Sequence, residues 1–188
     1  MNIELTEYLD AIFSEWRMGI CPGGQVSIRH KGVFVYNKCY GYANLQHQVP
    51  IDSNTVFHIA SVSKQFTVMA LLLCQEDGLL NIDDEVRNYV PEYIGFSQPV
   101  TLRQMMNNIS GIQDIWELQM MRGVRIDDTI TQQDALSIIA SQKELNFKPG
   151  SRYCYSNSNF VLLAAVVEKV TKKTLQQFLN QQNPLLYI

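Results

Sequence analysis

The sequence predicts an α+β fold, with a short antiparallel ribbon near the N-terminus and a mostly helical remainder. Three observations carry that expectation. Gln25-Val26-Ser27-Ile28-Arg29-His30 alternates polar and apolar, Lys31-Gly32 supplies a turn, and Val33-Phe34-Val35-Tyr36 follows, which is a hairpin signal. From Ser61 onward apolar residues recur at helical spacing, punctuated by Gly78, Pro91, Gly111 and Pro149. The chain has 188 residues, 46% hydrophobic and 18% charged, enough for one domain with a real core and not comfortably for two.

Taken in order, Leu5, Leu9, Ile12, Phe13 and Trp16 recur at helical spacing, so an amphipathic helix is expected up to about Met18. The hairpin follows Cys21-Pro22-Gly23-Gly24. Gly41-Tyr42-Ala43-Asn44 and Val49-Pro50-Ile51-Asp52 break the pattern, and an extended apolar stretch runs through Thr55-Val56-Phe57. A helix opens at Ser61, continues through Leu73 and ends near Asp77-Gly78, with the glycine in the C-capping place. Leu79 to Val86 reads as a turn and a short helix ending before Pro91. Thr101 starts another short helix, running to about Asn108 and ended by Ser110-Gly111. Residues 112–129 resist assignment; Trp116, Met120 and Met121 could line a cleft, but the core is the expected place for such side chains. Thr131-Gln132-Gln133-Asp134 opens a helix through Ala140, and a loop containing Phe147-Lys148-Pro149-Gly150 follows. The last strong helix is expected from about Ser158 to Val170, and a further helical stretch, Leu175 to Leu179, precedes Pro184.

A formal net charge of −3, without a run of Lys or Arg, gives no electrostatic case for nucleic acid or an anionic membrane surface. No low-complexity segment or internal repeat is present. The acidic start, Met1-Asn2-Ile3-Glu4-Leu5-Thr6-Glu7, does not have the form of a secretory signal, so a cytoplasmic location is expected as written, and an extracytoplasmic one if a signal lies upstream. No apolar run approaches the roughly 20 residues needed for a membrane span. Cys21, Cys39, Cys74 and Cys154 have no Cys-x-x-Cys spacing and no histidine beside them; free thiols are expected, Cys74 buried, with no metal site and no cofactor.

One short motif carries chemistry. Ser61 and Lys64 form the only Ser-x-x-Lys of the sequence, at the start of an apolar helix. Residues three apart share a face in a helical first turn, so hydroxyl and amine can meet. A serine hydroxyl is a poor nucleophile until a neighbour takes its proton. A helix start also leaves backbone N–H groups unpaired, and one of them can face the oxyanion of an acyl-transfer transition state. The expectation is that Ser61 is a nucleophile and Lys64 its proton acceptor; the bland alternative is an N-capping serine followed by a solvated lysine. A histidine triad has less support. There is no Gly-x-Ser-x-Gly elbow, and His58, on the run before Ser61, reads as structural.

Several motifs agree in order with a known family: Pro22-Gly23, Gly41-Tyr42-Ala43-Asn44, Phe57 to Lys64, Gly78-Leu79-Leu80-Asn81-Ile82-Asp83-Asp84, Ser110-Gly111, Phe147-Lys148-Pro149-Gly150 and Tyr155-Ser156-Asn157. From about residue 20 onward the chain resembles the serine β-lactamases, most closely the class C group with its related penicillin-binding D-alanyl peptidases and esterases. The resemblance implies a β-lactamase/transpeptidase-like fold in which a helical cluster packs on the N-terminal hairpin. It implies an acylated Ser61, Lys64 as its partner, Tyr155 as the proton shuttle to the leaving group, and Asn157 as the hydrogen-bond partner of the substrate amide. Tyr42-x-Asn44 has the same letters as Tyr155-x-Asn157 but matches the family's hairpin-exit turn. The implied partner is a small-molecule or peptide substrate: a β-lactam, a D-alanyl peptide or a small ester.

Three departures qualify the resemblance. Asn108-Ile109-Ser110-Gly111 stands where His-Thr-Ser-Gly is usual, and Lys172 replaces a glycine common after Val-Thr of the last helix. The third is length: relatives continue with roughly as many residues again after the position of Ile188, including the third motif and most of the sheet. Residues 1–188 are therefore expected to form a single incomplete domain, with 1–60 holding the N-terminal helix and hairpin and 61–188 the catalytic motifs. An open strand edge then invites self-association. Activity is expected to be impaired, and the alternative is a non-catalytic fragment that serves as a binding or association module or is a degraded gene product.

Overall fold

The computed structural model describes residues 3–17, 19–125 and 127–182. Its chain divides into two compact units, Met1–His58 and Ile59–Ile188.

In the first unit, helix α1 (Ile3–Ile12) gives way to a 3₁₀ turn at Ser14–Arg17 rather than continuing as one helix; Met18 lies outside the described residues. The rings of Phe13 and Trp16 pack on each other at 5.3 Å and on Tyr40 at 5.7 and 6.1 Å. Strands β1 (Gly24–His30) and β2 (Val33–Tyr40) pair antiparallel around Lys31 and Gly32, with a register shift at Ile28/Arg29. Their φ values of 48° and 81° are those of the hairpin turn whose twist matches the strands. β2 runs four residues beyond the apolar tetrad because Tyr36 and Tyr40 both turn inward and are buried. The segment expected to break the pattern instead forms a second ribbon, β3 (Tyr42–Asn44) with β4 (Val49–Pro50). Asp10 ties α1 to the hairpin, accepting from Lys38 and Tyr36 at 2.7 Å and pairing with Arg17 at 2.7 Å. Those donors, Lys38 foremost, hold its carboxyl far below the usual carboxylate range.

The second unit is helical. The chain from 55 to 59 forms no strand, and Val56 and Phe57 are exposed. A 3₁₀ turn at Ala60–Ser63 then leads into α2 (Lys64–Glu76). Gly78, at φ 71°, lets the chain leave the helix, with Leu79 N–H donating to the Cys74 carbonyl at 2.9 Å and Gly78 N–H to that of Gln75 at 3.0 Å. The expected short helix is two 3₁₀ turns, Val86–Asn88 and Pro91–Tyr93. Helix α3 (Leu102–Met106) starts with a reciprocal Thr101–Gln104 capping box, and α5 (Gln132–Ala140) with one between Thr131 and Asp134. Between them lies α4 (Ile115–Met121). Helices α6 (Asn157–Thr171) and α7 (Leu175–Gln182) complete the unit; Pro184 lies outside the described residues.

Helix α6 is the axis of the core. Leu162, Leu163, Val166 and Val167 are fully buried against α2 (Ala70, Leu71, Cys74), α3 (Leu102, Met105) and α5 (Leu136, Ile139). Each such side chain stabilises the fold by about 1.5–3 kcal/mol through loss of apolar surface to water. Burial also pushes the Cys74 thiol up to about 11, as suits an inert packing group. Trp116, Met120 and Met121 correct the expectation of a core role. Helix α4 has only seven residues and buries its Ile115 and Gln119 face, leaving Trp116 46% and Met121 84% exposed.

Lys172 closes α6 with φ 57°, the left-handed conformation glycine adopts at no steric cost. A glycine here, as the family resemblance leads one to expect, would meet without strain a backbone requirement that lysine meets under strain. Lys172→Gly should stabilise the protein by up to about 1 kcal/mol, relief of strain outweighing added unfolded-state entropy. Thermal and urea unfolding check it; an unchanged or lower midpoint would show that the lysine carries no strain.

Candidate active site

Ser61 sits in the 3₁₀ turn preceding α2, directly after Ala60, whose φ of 47° is rare for a residue with a side chain. Such strain persists only where surrounding structure dictates it, and it is concentrated at functional sites. The Ser61 carbonyl accepts the Lys64 N–H, which places the two side chains on one face. Lys64 Nζ donates to Ser61 Oγ at 3.1 Å and to Asn157 Oδ1 at 2.8 Å. The hydroxyls of Ser61 and Tyr155 are hydrogen-bonded at 2.8 Å, and Lys64 Nζ lies 5.0 Å from the centre of the Tyr155 ring. All four residues singled out in the sequence therefore meet at one point.

A second set of residues delivers Tyr155 there. Asn108 takes a left-handed φ of 55°; its carbonyl accepts from Cys154 N–H at 2.8 Å, and its Oδ1 from Ser156 N–H and Asn159 Nδ2, both at 3.1 Å. Ser110 Oγ donates to Asn159 Oδ1 at 2.6 Å, in a buried position. Gly111 and Ile109 extend the clamp, their carbonyls accepting from Asn146 and Gly150 N–H at 2.8 Å; a Cβ on Gly111 would strike the Phe147 carbonyl. The substitution at the His-Thr-Ser-Gly position thus falls on the residue that fastens the Tyr155 segment. Asp114, only 8% exposed, caps α4 through Trp116 N–H at 2.9 Å, and its Oδ2 accepts from the backbone and side-chain N–H groups of Asn157 at 2.5 and 2.8 Å. The sequence marks Asn108 as a helix end and a departure from the family pattern but gives it no role in the site, and it does not single out Asp114, although an asparagine just past a helix and an aspartate just before one are recognisable cap signals.

Electrostatics make the Tyr155 phenol easier to ionise. Partial burial pushes its phenol up, but Lys64 and the Ser61 hydroxyl pull it further down, and the balance lies below the ordinary value; Asp114 opposes weakly. Beside this point opens a cleft of about 420 Å³ bounded by Lys64, Asn157, Trp116, Gln119 and Phe160. Trp116 stands at this cleft, the role the sequence reading weighed second. Among the described residues, no group of three or more His, Cys, Asp and Glu gathers as a metal site would require. No described helix is long and apolar enough to cross a membrane. His58 is exposed, and Tyr42 lies in β3.

A sequence profile described as Beta-lactamase matches residues 10–182. The chain belongs to the β-lactamase family. It is 36% identical over 156 residues to a D-aminopeptidase of Cereibacter sphaeroides, covering 82% of this chain and 30% of that protein. Among solved structures it is similar to FmtA from Staphylococcus aureus, with a TM-score of 0.74 and 25% identity over 95% of this chain and 46% of that one. It is similar also to the octameric penicillin-binding protein homologue from Pyrococcus abyssi, with a TM-score of 0.74 and 27% identity over 96% and 42%. The fold is that of the β-lactamase and transpeptidase group, and relatives in the family are hydrolases. The chain spans about a third of the length of the curated relatives it matches.

An absorbance titration tests the electrostatic picture: Tyr155 should ionise below the ordinary tyrosine range, and Tyr155→Phe should abolish that first phase. Tyr36 and Tyr89, both pushed up chiefly by burial, should ionise late. A first phase that survives Tyr155→Phe would contradict it.

Proposed function

We propose that this protein is a serine hydrolase working through a covalent acyl-serine intermediate, with Ser61 as nucleophile, Tyr155 as the group that moves its proton, and Lys64 as the cation beside them rather than the proton acceptor its helical spacing alone suggests. One observation carries the reading: Ser61 Oγ has the Tyr155 hydroxyl at 2.8 Å on one side and Lys64 Nζ at 3.1 Å on the other. In acylation a bond forms from Ser61 Oγ to the substrate carbonyl carbon, and the Oγ proton passes to Tyr155. The tetrahedral intermediate collapses, the bond to the leaving nitrogen or oxygen breaks, and Tyr155 hands that atom the proton. Water then attacks the ester by the same route in reverse. Lys64 supplies the positive charge that keeps the phenol easy to ionise, and Asn157 binds the substrate amide at the mouth of the cleft. The Ser61 backbone N–H serves as one oxyanion donor.

β-Lactams, D-alanyl peptides and small esters are the substrate classes, and similarity to a D-aminopeptidase favours acyl groups of D-configuration. We read residues 1–188 as the N-terminal part of one β-lactamase-like domain. A second reading, an association module, is favoured by sheets that are two-stranded among the described residues and by similarity to an octameric homologue.

Labelling with a fluorescent penicillin separates the two. The hydrolase reading expects a covalent adduct that Ser61→Ala abolishes and Tyr155→Phe slows by about 100-fold or more. An adduct that persists in Ser61→Ala sinks it. No adduct, with a mass that grows with concentration, supports the association module.

A further inference from the structure

We infer that Asp114 is a positioning residue for Lys64, acting through Asn157: it fixes which end of the Asn157 carboxamide faces the lysine. The inference rests on the acyl-serine reading for what that lysine then does, but the geometry stands by itself. Asp114 is buried, and among the described residues no lysine or arginine forms an ion pair with it. Its hydrogen bonds come from the N–H of Trp116 and from the backbone and side chain of Asn157. A buried carboxylate without a cation is costly, and a helix cap alone would be served as well by a neutral asparagine or serine.

The orientation of the Asn157 amide follows from chemistry. A carboxylate only accepts hydrogen bonds and an ammonium only donates them. The end of Asn157 against Asp114 is therefore the NH₂ group, at 2.8 Å, and the end against Lys64 is the oxygen, at 2.8 Å. With Asn157 held this way, Lys64 Nζ is anchored on one side and stays within 3.1 Å of Ser61 Oγ. In Asp114→Asn the side chain offers one acceptor and one donor in place of two acceptors, and the three N–H groups can no longer all be met. The Asn157 amide is free to reverse, turning NH₂ toward Lys64, donor against donor.

Three measurements on Asp114→Asn test this. Its melting temperature should fall by a few degrees, since one buried N–H group loses its acceptor, while its circular dichroism should stay that of the folded parent because asparagine still caps the helix. Acylation of Ser61 by fluorescent penicillin should fall about tenfold to a hundredfold, the usual consequence of a slightly misplaced catalytic group. Reductive methylation of Lys64, followed by mass spectrometry against the other lysines, should accelerate several-fold as the amine loses its anchor. The pH profile adds a readout that mere structural support would not move. The groups that act on Tyr155 are Lys64 from α2, Ser61 from the preceding turn and Asp114 from the start of α4. Removing the opposing negative charge lowers the phenol further, so the acidic limb of the acylation profile should move to lower pH. Parental acylation, an unshifted limb and unchanged Lys64 methylation in Asp114→Asn would overturn the inference. If the parent itself shows no Ser61-dependent adduct, the hydrolase reading falls instead, and Lys64 methylation alone decides whether Asp114 positions the lysine.

Discussion

The site depends on a buried polar seam between residues 108–114 and residues 154–159. Ser61 and Lys64 are neighbours by helical geometry, but Tyr155 is 94 residues from Ser61 in the chain. It arrives because Asn108, Ser110 and Asp114 meet the N–H and amide groups of the arriving segment one after another. Each bond contributes on the order of 1 kcal/mol net, and each broken one would leave a buried polar group unmatched. That asymmetry makes the seam specific. Sliding the segment by one residue would misalign several pairs at once, so only one register delivers the phenol to the serine.

The apolar core explains why the seam can exist. Helix α6 begins at Asn157, so the helix that organises the packing of the second unit also fixes the residues flanking Tyr155. Stability and chemistry share one element. Its buried face, from Leu162 to Val167, anchors the direction of the axis, while its first turn, with Asn157, Ser158 and Asn159, faces the polar seam. A mutation deep in the core can then alter the site by tilting the helix start, without touching a polar residue.

The sequence was most legible where a physical signal is local. The hairpin was readable because Lys31-Gly32 separates two β-rich runs, and the starts of α3 and α5 because Thr101 and Thr131 are good caps. Ser61 and Lys64 could be paired from helical spacing alone. Tyr155 and Asn157 could not; their letters carry no spatial information, and they came from the resemblance to the family. The roles of Asn108 and Asp114 were not legible because they require a fold that sets a left-handed residue and a helix cap against the same loop. Trp116 was misjudged because a seven-residue helix has too few turns for periodicity to tell its buried face from its cleft-facing one. The extended stretch before Ser61 does not become a strand, because β-branched and aromatic residues favour strands only when a partner strand is there to pair with.

The place of Trp116 has a spectroscopic consequence. The chain has two tryptophans, and the other, Trp16, packs tilted against Phe13 and edge-on to Tyr40 in the first unit. One of the two indole emitters is therefore a partly exposed ring at the cleft that Lys64 and Asn157 also line. Occupancy of that cleft registers as a change in colour and quenching of intrinsic fluorescence, and replacing Trp16 with phenylalanine leaves the molecule a single built-in reporter.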